Sequence, residues 1–168
     1  TMGASGTEKE IQGKLGAPLF KTNRGGKITY HGPGQRIIYF LISLKDRKRD
    51  IRKFVDLIEN SAIKVLKEFD IEAKTFPGRV GIWIVKNKKD YLKKEQKIGA
   101  IGLRIKKWVT YHGLSFNINP DLKYYEKIDA CGLKNYSTTS MKSLGINISN
   151  DEFDKIYLKY FLEDLNKL

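Results

Sequence analysis

Residues 24–35 read RGGKITYHGPGQ and run directly into the apolar series Ile37-Ile38-Tyr39-Phe40-Leu41-Ile42. These twelve residues hold four glycines, one of the chain's two histidines and one of its four prolines. A residue without Cβ lets backbone approach a ligand closely or adopt positive φ. Such a density ahead of a strand-like run leaves two outcomes. Either the chain turns sharply in a tight hairpin closed by Pro33-Gly34, or it lays bare backbone around a ligand, with Arg24, Tyr30 and His31 as polar handles. A glycine-rich loop alone does not choose between them.

The rest of the chain fixes the context. Residues 37–44 read as a buried strand and residues 46–50 as a charged connection. Ile51, Phe54, Val55, Ile58, Ala62, Val65, Leu66 and Phe69 recur at helical spacing, which predicts an amphipathic helix over residues 50–69. Pro77-Gly78 marks a turn, residues 80–85 (VGIWIV) a strand, and residues 86–96 a charged loop or extended hairpin tip. Residues 97–105 (KIGAIGLRI) are apolar with two glycines. Residues 108–119 read as a further strand interrupted at His112-Gly113, where a glycine marks close approach of backbone or ligand. Residues 124–143 have no clean period. Ser149 and Glu152 form a capping box ahead of a second helix carrying Phe153, Ile156, Tyr157, Tyr160, Phe161 and Leu165. Several strands, two flanking helices and no βαβ alternation predict an α+β fold with a mixed, largely antiparallel sheet flanked by helices.

At 168 residues the chain suits one domain with a proper core. No apolar run approaches the roughly 18–20 residues needed to span a bilayer. The opening TMGASGTEKE lacks the apolar core of a signal peptide. A cytoplasmic location without membrane partners is expected. The single cysteine, Cys131, excludes an intrachain disulfide. No short ligand spacing joins it to His31 and His112 in a zinc site, so no metal is expected. The 32 Lys and Arg against 19 Asp and Glu give a net charge of +13, which suits an acidic partner. The ordered basic-aromatic modules of nucleic-acid readers are missing.

Four blocks occur in order: RGGKITYHGPGQ at 24–35, KIGAIGLRI at 97–105, YHGLSFNINPDL at 111–122 and ACG at 130–132. Together they resemble the lipoyl(octanoyl) transferase family over residues 1–145. The resemblance implies a single catalytic domain over residues 1–168, related to the catalytic domain of biotin and lipoate protein ligases. A longer N-terminal region of the family is expected to be missing from it. It implies transfer of an octanoyl group from octanoyl-acyl carrier protein to a lysine of lipoyl domains. The expected acceptors are 2-oxoacid dehydrogenase E2 subunits and the glycine cleavage H protein. The enzyme would be a monomer using no cofactor. Cys131 stands at the family's nucleophile and Lys97 at its pKa-lowering, proton-moving lysine. Arg24, Gly25, Gly26, Lys27, Ile28, Thr29, Tyr30 and His31 match the acyl-binding run. Ala100, Ile101 and Gly102, with Gly113, Leu114 and Ser115, match two further segments lining the cleft. Ala130 replaces the family's usual proline before the cysteine, and Ala100 its usual serine.

The chemistry suits these residues. A thiol nucleophile must be deprotonated, and a nearby ammonium stabilises the thiolate. A lysine in an apolar setting also yields its proton more readily, so it can serve as a base. Spacing alone would not select Lys97; His31 or His112 is the more obvious partner for a cysteine. Two rivals follow from the same sequence: an ATP-dependent lipoate or biotin protein ligase, which has no use for a cysteine nucleophile, and a basic nucleic-acid-binding module.

Overall fold

The apolar series after Asp50 closes into helix α1 (Ile51–Lys67) in the computed structural model, which describes residues 1–87, 90–129 and 136–168. The Asp50 carboxylate accepts the Lys53 N–H at 3.0 Å, satisfying one of the donors left over in the first turn. Helix α2 (Asn150–Leu165) starts as its capping box predicts, with Ser149 Oγ accepting the Glu152 N–H at 3.1 Å. The two helices pack together through Phe54, Tyr157 and Phe161, joined by Phe40. Lys64 and Asp164 pair at 2.6 Å across their outer side.

Both helices cover one face of a six-stranded sheet. The strands are β1 (Gln35–Tyr39), β2 (Ile71–Phe76), β3 (Arg79–Asn87), β4 (Asp90–Lys106), β5 (Val109–Asn117) and β6 (Ser137–Thr138). Their order is β1-β5-β4-β3-β2, antiparallel throughout, with β6 added parallel to β4 at Gln96 and Lys97. The α+β class and the mixed, largely antiparallel sheet therefore stand as expected. Lys107 and Trp108 join β4 to β5 with φ of 51° and 64°. A two-residue hairpin whose central residues both have positive φ matches the strand twist.

Two stretches differ from the sequence reading, and a third resolves between its alternatives. The run expected as a buried strand over residues 37–44 is instead an edge strand over residues 35–39. Paired only to β5, it turns Phe40 and Leu44 to the core while Tyr39 and Leu41 remain 64% and 68% exposed. Strand β2 was not anticipated, because only Ile71 and Ala73 of IEAKTF carry an apolar alternation. The charged stretch 86–96 is the extended-hairpin alternative, its described part lying in β3 and β4. Among the described residues no helix is long and apolar enough to cross a membrane.

Candidate active-site cleft

Over residues 99–102 and 113–116 the β4–β5 pair carries Ile101, Leu114 and Phe116 on one face and no side chain larger than that of serine on the other. Gly99 faces Phe116 and Ile101 faces Leu114; Phe116 and Leu114 are buried in the helical core. On the opposite face Ala100 pairs with Ser115 and Gly102 with Gly113, which leaves a shallow trough. The glycine-rich loop roofs it. Gly25 donates its N–H to Leu103 O at 2.9 Å, and a Cβ on Gly25 would stand 2.6 Å from that oxygen. The glycine here serves close approach. The cleft is half open, and about 510 Å³ of space lies within its walls and mouth, solvent-facing space included.

Arg24, Gly26, Lys27, Thr29 and His31 line the cleft from the loop; Ala100, Ile101, Gly102, Gly113, Leu114 and Ser115 line it from the strands. The two segments expected to face the glycine loop are thus brought to it. Ile28 and Tyr30 alternate away into a neighbouring apolar hollow with Leu15, Pro18 and Phe20. Tyr30 stacks there on Tyr124 at 4.5 Å. At its other end the loop does turn at Pro33-Gly34, with Gln35 N–H donating to Gly32 O at 3.3 Å. The run therefore lines a cleft with its first half and turns sharply with its second.

Lys97 reaches the cleft face through a β-bulge. Ile82 pairs with Gly99, yet the next residue, Trp83, pairs with Lys97, so Ile98 is an extra residue on β4. Ile98 joins the core. The added residue shifts the alternation by one, and Lys97 comes out on the same face as Ala100. A hollow of about 240 Å³ joins Lys97 to Thr29, Ala100, Ser115, Asn117 and Thr138. Three of these residues, Thr29, Ala100 and Ser115, also line the main cleft, so the two spaces adjoin.

Lys97 is only 6% exposed. Its Nζ donates to Val80 O at 3.0 Å and lies 5.2 Å from the centre of the Trp83 ring. Ser115, also 6% exposed, has a buried Oγ with no hydrogen-bond partner among the described residues. A buried hydroxyl left unpaired is costly and is suited to a ligand atom. The two histidines take other places. His31 sits on the cleft rim with Nδ1 3.3 Å from Gln35 Oε1. Removal of water from its ring, then the Thr1 ammonium and Arg24, lower it from 6.5 to about 4, against a smaller opposing effect of Gln35. It is therefore neutral at ordinary pH. His112 holds Asn23 Oδ1 at 3.1 Å opposite Leu103. That is about 20 Å along β4 from Lys97 at the usual rise per residue.

Cys131 lies outside the described residues. The chain that follows it is described from Tyr136: Thr138 pairs with Lys97, and Thr139 donates its N–H to Lys97 O at 2.8 Å. Among the described residues no group of three His, Cys, Asp or Glu side chains is arranged to hold a metal ion. The sequence reading missed Glu59, Gly81 and Trp83, which surround Lys97. A glycine within VGIWIV is the same signal of close approach that was read at Gly113.

Residues 1–162 match the family described as the lipoyl protein ligase A/B catalytic domain. An octanoyltransferase of Wolbachia pipientis subsp. Culex pipiens is 47% identical over 162 residues, 96% of this chain and 76% of that one. One from Bartonella tribocorum is 40% identical, covering 98% and 69%. Among solved structures, a putative lipoate protein ligase of T. acidophilum superposes with a TM-score of 0.72 at 19% identity, covering 98% and 67%. The biotin protein ligase of Aquifex aeolicus gives 0.58 at 18% identity over 80% of this chain, which spans about half, 54%, of that protein. At such identities the structures speak for the fold alone. The chain belongs to the lipoyl protein ligase A/B catalytic-domain family and, within it, to the octanoyltransferases, which are acyltransferase enzymes.

Proposed function

We propose that the chain acts as one catalytic domain that moves an octanoyl group from octanoyl-acyl carrier protein to a lysine of a lipoyl domain, through a thioester on Cys131. The observation that carries this reading is the buried Lys97 in a hollow that adjoins an apolar cleft. In the first half-reaction Cys131 Sγ attacks the acyl carbonyl carbon. A new C–S bond forms from the Cys131 thiolate, the carrier's C–S bond breaks, and the carrier thiol leaves with a proton from the Lys97 ammonium, which is left as the neutral amine. In the second, the acceptor amine attacks the acyl-enzyme, an amide forms, and the Cys131 thiolate departs while Lys97 takes the amine's proton. Ser115 Oγ is suited to donate to the acyl oxygen as negative charge gathers there. The thioester is already activated, so the scheme needs neither ATP nor metal. The octanoyl chain lies along Ala100, Gly102 and Gly113, each buried CH₂ contributing up to about 0.8 kcal/mol.

His31 and His112 are given no part in proton transfer. The first is held neutral at the rim, and the second is a long way down the strand from Lys97. The acceptors are the lipoyl domains of 2-oxoacid dehydrogenase E2 subunits and the glycine cleavage H protein, and the enzyme works in the cytoplasm as a monomer.

Intact mass measured after mixing with octanoyl-carrier protein tests the scheme. The wild type gains one octanoyl group and Cys131→Ser gains none. An acyl adduct that persists on Cys131→Ser overturns the nucleophile assignment. Acceptor modification only with free octanoate and ATP makes the chain a ligase instead.

A further inference from the structure

The peptide group joining Val80 to Gly81 makes two hydrogen bonds in opposite directions. Its N–H donates to Glu59 Oε1 at 2.8 Å, and its carbonyl accepts from Lys97 Nζ at 3.0 Å. Glu59 belongs to α1 and is only 5% exposed. No sequence pattern singled it out, and a carboxylate so far from water needs a purpose or a partner. Gly81 allows the arrangement: its φ is 130°, and a Cβ there would stand 2.6 Å from both Gly99 O and Lys97 Cε. Only a glycine lets the lysine stem lie against β3 at this point.

We propose that Glu59 is a positioning residue for the acyl-transfer site, acting on Lys97 through this single peptide group. A carboxylate on the N–H polarises the amide and concentrates negative charge on the Val80 oxygen, which then holds the Lys97 ammonium more firmly. Glu59 thereby fixes where the ammonium sits and favours its charged form. The proposal rests on the catalytic reading of Lys97, which it deepens.

The charged and titratable groups around the relay are few among the described residues. Asp56 lies on the same helix as Glu59, and Lys97 faces it from β4. Burial raises the Glu59 carboxyl; the Gly81 N–H and Lys97 oppose that rise, and Asp56 adds to it. On the lysine side, Arg79 lies over the Trp83 ring at 4.9 Å and faces Glu95 at 3.8 Å. Lys94 lies over the Tyr136 ring at 5.3 Å, and Tyr125 lines the hollow.

Two measurements test the relay. Glu59→Gln keeps an oxygen for the Gly81 N–H and removes the charge. The alkaline limb of its acylation pH profile moves to lower pH by about half to one unit, with thermal stability close to wild type. An unmoved limb in a variant that has lost only stability makes Glu59 a structural group and overturns the proposal. The second measurement needs no activity. Linkage is reciprocal, so Lys97→Met raises the Glu59 carboxyl titration, followed by carbon-13 NMR, by a similar amount. An unchanged Glu59 midpoint overturns the proposal even if Glu59→Gln does not fold. A raised midpoint beside near-normal turnover in Lys97→Met keeps the relay and refutes the catalytic reading of the lysine.

Discussion

The two faces of the β4–β5 ribbon come from alternate residues of the same strands, yet they are built on opposite rules. The core face carries Ile101, Leu114 and Phe116, closed by two helices. The cleft face carries Ala100, Gly102, Gly113 and Ser115, roofed by a loop that touches down through glycine. Volume on the first face supplies stability; its deliberate shortage on the second supplies room for a ligand. The same sheet is thus packed on one side and hollow on the other, and substitutions should divide accordingly.

The sharpest test of that division is Lys97→Ala. On the proposed role it slows octanoyl-enzyme formation by about 10²–10⁴-fold in single-turnover mass spectrometry and leaves the fold intact by circular dichroism. Near-normal acylation would move the base elsewhere. Next comes the core face. Leu114→Ala should cost about 2–5 kcal/mol in denaturant unfolding, because it leaves a cavity beneath the helices. A loss below about 1 kcal/mol would mean that the core collapses there as readily as the cleft face could. Ala100→Leu is the converse change. It fills the trough, raising KM for octanoyl donor about tenfold while sparing a butanoyl donor, with little change in Tm. Equal effects on both donors would show that the acyl chain runs elsewhere.

The smallest effect concerns the rim. His31 is lowered from 6.5 to about 4 in the folded protein, so the unfolded chain binds its proton first as pH falls. Stability linked to His31 is present above about 6.5 and is lost progressively down to about 4. The loss is modest because the ring is shielded only on its cleft side and solvent at the rim screens its charge. In thermal melts the wild type should lose slightly more Tm than His31→Gln across that window; identical slopes would remove His31 from the acid response.

The sequence made much of this division legible. Helix α1 was visible in its 3.6-residue periodicity, and the Ser149 cap in its spacing to Glu152. Arg24, Gly26, Lys27, Thr29 and His31 come to one cleft with residues 100–102 and 113–115, whereas Ile28 and Tyr30 turn away from it. The face to which a given side chain points was less legible. Period-2 reasoning sends Tyr30 towards or away from the cleft with equal ease, and only its stack on Tyr124 settles the matter. The edge position of β1 depends on which strand lies beside it, which its own residues do not encode. Glu59 sits next to Ile58 in an ordinary amphipathic pattern. Its partner, the Gly81 N–H, is a backbone group of β3 and leaves no mark in side-chain spacing.

The bulge at Ile98 gives β4 a parity. Draw the same residues out as a strand without the bulge, and every side chain before that point exchanges faces. The ammonium would then be driven into the hydrocarbon between the helices, and an isoleucine would be left at the cleft. Deleting Ile98 avoids that exchange, because Lys97 and Ala100 are then two residues apart, and what it removes is an isoleucine of the core. An irregularity of one residue, and not the composition of the strand, decides which face Lys97 occupies.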